Sequence, residues 1–162
     1  MENNNINYNT LSEQEVIDAQ NLWADQIVEI GHLYASNLDY KTKAYDFVKN
    51  FYAYEISNVL FKPTLASKNQ FRLKLEDALS YFIGGCVKED QGFALKPWEK
   101  IRFGDRNFIL ENNIALVMGN YYFKSLNEDE EIKVVYTFGY IRNRNGKPII
   151  NLHHSSLPYQ EN

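Results

Sequence analysis

The sequence predicts an α+β domain in which three helices come first and antiparallel strands follow. Between Ser12 and Gly84, apolar residues recur every three or four positions, which is the spacing of one buried helix face. From Phe93 onward the apolar period falls to two, the period of a β-strand. The pair Asn145-Gly146 signals a tight hairpin turn, because both residues tolerate positive φ. This order predicts helices packed on one face of a single sheet.

Capping patterns locate the helix ends. Ser12 and Glu15 form a capping box at the start of the first helix. Ser67 and Gln70 form a second capping box at the start of the third helix. The glycine pair that follows this helix can adopt the left-handed conformation that ends many helices. The predicted helices run from Ser12 to Leu38, from Asp39 to about Ser57, and from Ser67 to Gly84.

Five strands are predicted after the helices. Asn112-Asn113 and the acidic stretch that starts at Asn127 separate them, since both are typical of turns. A further extended segment precedes Pro63, because residues before proline disfavour helix. The predicted strands are Phe93–Trp98, Ile101–Glu111, Ile114–Lys124, Ile132–Arg142 and Pro148–Leu157.

The last hairpin has two different faces. Counting outward from a two-residue turn places Thr137 opposite His154 and Phe138 opposite His153. The face with Thr137 and His154 is otherwise small and aliphatic, and we expect it to face the helices. The other face is aromatic, and we expect it to face outward, where a second copy of the chain must cover it. The predicted homodimer interface consists of Tyr136, Phe138, Tyr140 and His153.

Composition narrows the class of protein. The chain has 162 residues, a mass of 19.0 kDa and a formal net charge of −4, which argues against a nucleic-acid binder. Its single cysteine excludes an intramolecular disulfide and fits the reducing cytoplasm. No apolar run approaches the roughly 18 residues that span a bilayer. We expect a cytoplasmic protein with one domain at residues 11–158, between tails at 1–10 and 159–162.

Several segments together resemble a known superfamily. They are Phe51-Tyr52-Ala53, Val59–Thr64 (VLFKPT), Gly119–Phe123 (GNYYF), Tyr136-Thr137-Phe138 and His153–Pro158 (HHSSLP). From about Leu11 to Pro158 the chain resembles the cystatin-like cone of the nuclear transport factor 2-like superfamily. Within it, the chain resembles the SnoaL-like proteins and those like the calcium/calmodulin-dependent kinase II association domain. The resemblance implies three helices on a strongly curved, mainly antiparallel sheet, a pocket between them, and dimers formed through the outer sheet face.

The candidate pocket combines polar and aromatic side chains. His154 and Thr137 share the expected inner face, where His154 could contact a ligand or be a hydrogen-bonded core residue. Asn120 interrupts an apolar strand and could contact a ligand or have a simple surface or interface role. Trp23 and Tyr45 could line the cavity or belong to the core. The adjacent His153 and His154 project to opposite faces, and no metal-ligand spacing occurs, so we expect no metal or cofactor.

Two functions remain open on the sequence alone. The first is a small-molecule-binding protein, or an enzyme of undetermined reaction, that takes a small apolar or anionic ligand in the pocket. The second is a non-catalytic association module whose role is the dimer interface. An isomerase of the superfamily is disfavoured because Lys62 stands where a carboxylate base is needed. Arg72, Arg102 and Arg106 could meet an anion, but we expect them to be solvated.

Overall fold

Three helices pack against one face of a five-stranded sheet in the computed structural model, which describes residues 10–162. The strand order is β1-β5-β4-β3-β2, with β1 parallel to β5 and every other pair antiparallel. The α+β prediction is confirmed, whereas the tail predicted at 1–10 lies outside the described residues apart from Thr10. The helices are α1 (Glu13–Ala35), α2 (Tyr40–Phe51) and α3 (Leu75–Ile83), and the strands are β1 (Leu60–Lys62), β2 (Trp98–Glu111), β3 (Ile114–Ser125), β4 (Ile132–Arg142) and β5 (Pro148–Ser156).

The first two helices begin where the capping residues predict. The Ser12 hydroxyl accepts from the Glu15 amide, and the Glu15 carboxylate accepts from the Ser12 amide. The Asp39 carboxylate accepts from the amide of Thr42 at the start of α2. This helix ends at Phe51, earlier than predicted, because the following chain turns to bond β5 through the Ala53 amide.

The third helix is shorter than predicted, and its expected capping box does not form. The Glu89 carboxylate accepts hydrogen bonds from the amides of Ser67, Lys68 and Asn69. Glu89 therefore takes the place of the capping side chains that the sequence predicted for this segment. Residues 63–74 form an irregular loop, which we call the β1–α3 loop, and α3 begins at Leu75.

The first predicted strand is also wrong. Phe93–Leu95 forms one turn of 3₁₀ helix, and β2 begins at Trp98. The Trp98 indole N–H donates to the Phe93 carbonyl over 2.8 Å, which folds this segment back on itself. The turn follows Gly92, whose φ of 78° favours glycine.

The pairing predicted for the last hairpin is partly confirmed, but its faces are reversed. Thr137 lies opposite His154 and Phe138 opposite His153, while an irregularity beside Gly139 pairs Tyr140 with Ile150. The aromatic face packs under the helices because large rings fill the space between them and the sheet. The predicted interface residues lie inside the monomer, where they cannot contact a second subunit: Tyr136, Phe138, Tyr140 and His153.

No helix within residues 10–162 combines the length and apolar character needed to cross a membrane. The cytoplasmic location and the domain bounds 11–158 stay predictions. All three helices cover the same inner sheet face, and the residues between helices and sheet form one continuous core.

Candidate functional site

The polar residues predicted to line a pocket lie on the outer sheet face. His154 is exposed, and Thr137 and Asn120 are half-buried. The Asn120 side-chain amide donates to the Val134 carbonyl over 3.3 Å. Tyr45 lies on the surface of α2 with 43% of its area exposed. Trp23 is the member of the predicted set that the structure places beside an internal cavity.

That cavity lies between the helices and the inner sheet face. The centre of a water-sized sphere can occupy a volume of about 10 Å³ inside it, which is room for one water molecule. Aromatic rings and proline form most of its wall, and hydroxyl groups and one imidazole supply its polar atoms. Its lining is Trp23, Phe61, Pro63, Thr64, Tyr81, Phe93, Tyr121, His153 and Ser155.

A continuous chain of hydrogen bonds crosses the core and ends at this cavity. The Trp23 indole nitrogen lies 3.1 Å from the Tyr52 hydroxyl, which lies 2.9 Å from His153 Nδ1. On the other side of the ring, His153 Nε2 lies 3.2 Å from the Tyr121 hydroxyl. The chain continues over 2.5 Å from Tyr121 to Ser155 Oγ and over 2.5 Å from Ser155 to Thr64 Oγ1. We call these six side chains the polar chain.

The ring of His153 is held in a dry, aromatic environment. It stacks on Phe138 with 4.1 Å between ring centroids and on Phe61 with 4.8 Å. Burial, with a smaller contribution from the neighbouring His154, lowers the pKa of His153 to about 3. The imidazole is therefore neutral at ordinary pH, and one nitrogen is a donor and the other an acceptor.

Tyr81 brings a further hydroxyl to the cavity from α3. This hydroxyl is buried, and among residues 10–162 its nearest polar groups, on Leu65 and Thr64, are not close or aligned enough for a full hydrogen bond. Burial raises the pKa of Tyr81, and the Leu65 amide and Thr64 hydroxyl lie near enough to offset part of that rise. A buried hydroxyl without a partner in the protein is suited to a bound molecule.

A larger apolar pocket, which we call the vestibule, adjoins the cavity and opens to solvent. Its volume is about 360 Å³, and it shares Thr64 and Phe93 with the cavity wall. The buried hydroxyls thus lie next to a mainly apolar pocket at the surface. Its other lining residues are Tyr34, Leu65, Gln91, Gly92, Leu95, Lys96, Trp98, Phe123, Ile132, Val134 and Leu157.

The parallel pairing of β1 with β5 assembles the site. It sets Phe61 against His153 and leads the chain into Thr64, beside Ser155. Sequence reasoning missed Thr64, Tyr81, Tyr121 and Ser155 as site residues. One signal was present, because His153 and Ser155 are two apart on a strand and must share a face.

Arg72 is another residue whose surroundings differ from expectation. Its side chain has no exposed area, and its guanidinium binds both oxygens of Asp90 over 2.6 Å. Asp90 also accepts from the Ser80 hydroxyl over 2.6 Å. The pair ties the β1–α3 loop, which carries Thr64, to α3 and to the segment that follows it.

No group of three histidine, cysteine, aspartate or glutamate side chains in the described part of the chain is placed to hold a metal ion. Among the residues that line the cavity, the groups that could donate or accept a proton are hydroxyls and one neutral imidazole. The expectation that the protein needs no metal or cofactor stays a prediction.

The sequence matches known proteins along nearly its whole length. The family model described as "Metal-independent carbonic anhydrase" matches residues 14–157. A protein of Nostoc sp. (strain PCC 7120) with the same description is 35% identical over 156 residues, which are 93% of this chain and 76% of that protein.

The fold matches solved structures of the same kind. The crystal structure of a cyanobacterial iota-carbonic anhydrase complexed with bicarbonate superposes with a TM-score of 0.88 at 33% identity, covering 94% of this chain and 95% of that chain. A nuclear transport factor 2-like protein of Salmonella enterica gives 0.57 at 12% identity and covers 92% of both chains. A nuclear transport factor 2-like protein of Novosphingobium aromaticivorans with a cystatin-like fold gives 0.59 at 5% identity, covering 91% of this chain and 82% of that chain. The chain has the nuclear transport factor 2-like fold, as the resemblance implied.

The functions inferred from the sequence are wrong in both forms. A non-catalytic association module like that of calcium/calmodulin-dependent kinase II does not fit a chain whose similar proteins are described as enzymes. A binding protein or an enzyme of undetermined reaction does not fit either, because those descriptions name one reaction. The expected small anionic ligand agrees in kind with the bicarbonate bound by the cyanobacterial relative.

Proposed function

Because this chain belongs to the metal-independent carbonic anhydrase family, we propose that it catalyses the reversible hydration of carbon dioxide to bicarbonate. The observation that carries the proposal is the water-sized cavity at the end of the polar chain, where the hydroxyls of Thr64, Tyr81 and Ser155 meet. Hydroxyl donors within an aromatic wall are suited to stabilising the negative charge that develops on an oxygen of carbon dioxide.

Each of the two pockets suits one of the two reactants. The cavity has room for one water molecule, and the apolar vestibule beside Thr64 suits neutral carbon dioxide. Addition forms a bond from the water oxygen to the carbon, while one pair of C=O π electrons moves onto an oxygen of carbon dioxide. The water also gives up one proton, which a base of the solvent buffer accepts.

The hydroxyl groups lower the barrier by meeting the new negative charge. Thr64 and Tyr81 can donate to the oxygen on which charge develops, and no residue among 10–162 accepts the Tyr81 proton in a hydrogen bond. Donors of this kind act more strongly in a site without water, because no solvent reorganises around the charge. His153 contributes as a neutral member of the polar chain, since its pKa is about 3.

The test replaces hydroxyls that face the cavity and, as controls, hydroxyls that face away. We expect Ser155→Ala and Thr64→Val to lower the rate of carbon dioxide hydration by roughly 100-fold each, the cost of one lost donor to an oxyanion. Stopped-flow measurement with a pH indicator gives this rate. Ser156→Ala and Thr137→Val make the same chemical changes on the outer sheet face and should keep the wild-type rate.

The outcomes separate the alternatives. A wild-type protein that does not accelerate hydration would rule out the proposed reaction. Equal losses in Ser155→Ala and Ser156→Ala would place the chemistry somewhere other than the cavity.

We also propose that the chain forms a homodimer through the outer face of the sheet, by residues other than those first predicted. One row of residues across this face is apolar and includes Ile109, Leu116 and Leu152. Met118 lies beside Thr137 on the same face and is 54% exposed. Apolar side chains gathered on an open sheet face favour burial against a second copy.

A further inference from the structure

Trp23 sets the direction of the hydrogen bonds in the polar chain. An indole nitrogen always donates and never accepts. Its partner, the Tyr52 hydroxyl oxygen, must therefore accept this bond over 3.1 Å. Both side chains have no exposed area, so water does not compete for either group.

Tyr52 then determines which nitrogen of His153 carries the proton. The Tyr52 hydroxyl has one proton, and His153 Nδ1, at 2.9 Å, is its acceptor. If Nδ1 were protonated instead, Tyr52 would accept two bonds and its own buried proton would have no acceptor. A buried donor without an acceptor is costly, so Nδ1 is bare and the proton of the neutral ring is on Nε2.

The direction continues from the ring to the cavity. Nε2–H donates to the Tyr121 hydroxyl over 3.2 Å, and Tyr121 donates to Ser155. Ser155 in turn donates to Thr64 Oγ1, because its own buried proton needs an acceptor and Tyr121 is already its donor. The Thr64 proton then has no acceptor within the polar chain, so it can point into the cavity.

We propose that the indole N–H of Trp23, acting through Tyr52, holds His153 as the Nε2-protonated tautomer and turns the hydroxyl protons of the polar chain toward the cavity. Trp23 and Tyr52 are thus positioning residues, which act on the cavity through His153. The tautomer follows from the hydrogen bonds alone, and its effect on the reaction rests on the proposed function.

The experiment measures the tautomer directly, with no substrate present. Long-range proton–nitrogen NMR spectra of ¹⁵N-labelled protein distinguish a bare ring nitrogen from a protonated one, and His32→Gln and His154→Gln variants assign the signals. We expect His153 in the wild type to show bare Nδ1 and protonated Nε2. Protonated Nδ1 in the wild type would overturn the proposal without any variant.

Trp23→Phe keeps an aromatic ring in the core and removes the indole N–H together with part of the ring volume. Tyr52 can then donate or accept, so we expect both tautomers of His153 to be populated. Trp98→Phe is the matched control, because its indole N–H bonds the Phe93 carbonyl outside the polar chain, and it should leave the His153 signals unchanged. A single unchanged tautomer in Trp23→Phe would contradict the proposal.

Activity is measured separately on the same proteins. We expect Trp23→Phe to lower the hydration rate by at least about tenfold, since a histidine in the wrong tautomer costs catalysis. If Trp23→Phe populates both tautomers of His153 but hydrates carbon dioxide at the wild-type rate, the link to the reaction is refuted and the tautomer assignment stands. A wild type with the expected tautomer and no hydration activity would refute the proposed function instead.

Discussion

The charge state of His153 follows from the groups that surround its ring. Phe61 and Phe138 stack on its two faces, and Tyr52 and Tyr121 bond its two nitrogens. Neither tyrosine is a carboxylate that could stabilise an imidazolium, and burial disfavours the charged form. The folded protein therefore keeps this histidine neutral.

The neutral histidine makes the stability of the protein depend on pH. The ordinary histidine pKa is 6.5, and burial lowers that of His153 to about 3 in the folded state. Below pH 6.5 the unfolded chain binds a proton that the folded chain does not, so stability is full above pH 6.5 and falls toward pH 3. We expect the free energy of unfolding to drop by about 2 kcal/mol between pH 8 and pH 5, measured by urea denaturation.

Two variants isolate the contribution of this residue. His153→Phe should flatten the dependence over that range, and His154→Ala, which removes the exposed neighbour, should retain it. A wild-type free energy that does not change between these pH values would contradict the assignment of a buried neutral histidine.

At the scale of elements, the sequence predicted the pairing of the last two strands better than it predicted which of their faces the helices cover. The alternation of β4 and β5 correctly paired Phe138 with His153, because a period of two is a local property. It could not say which face the helices cover, since both faces of the hairpin are rich in apolar residues. Ring size decides the question in the folded protein, where the aromatic face fills the core.

The site was less predictable than the fold because it depends on contacts between distant segments. Thr64 and Ser155 are 91 residues apart, and the parallel pairing of β1 with β5 brings them together. A capping pattern at Ser67 predicted helix in a loop that Glu89 in fact holds from 20 or more residues away. Local patterns contain no information about such partners.

The loop that carries Thr64 depends on the buried pair of Arg72 and Asp90. Asp90→Asn leaves the guanidinium of Arg72 buried without its nearest negative partner, and the remaining carboxylate, Glu89, lies 4.0 Å away. We expect this change to lower the free energy of unfolding by about 3–5 kcal/mol, the cost of removing one member of a buried ion pair. Urea denaturation of the variant and the wild type at the same pH gives the difference.

An exposed ion pair provides the control. Glu131→Gln makes the equivalent change to the pair of Arg102 and Glu131, which lies at the surface with both side chains partly exposed. The free energy of unfolding should change little, because solvent already screens these charges. Similar losses in Asp90→Asn and Glu131→Gln would show that burial of the Arg72 pair does not matter to the fold.

At the scale of the whole molecule, the two faces of the sheet have separate tasks. The inner face supplies His153, Ser155 and Tyr121 to the polar chain, and the vestibule opens from the helix side. The outer face has no part in either pocket. An interface there would leave the vestibule uncovered in both subunits, which makes the two proposals compatible.

The outer-face dimer is tested by placing a charge at its centre. Met118→Asp changes a residue that is 54% exposed, so the monomer should fold, but a two-fold contact would bring two carboxylates into an apolar interface. We expect association to weaken by roughly 100-fold or more, measured by sedimentation velocity across a concentration series. Leu22→Asp replaces a similarly exposed apolar residue on α1 and should sediment like the wild type. A monomeric wild type would refute the dimer, whereas a Met118→Asp protein that stays dimeric would move the interface to another surface.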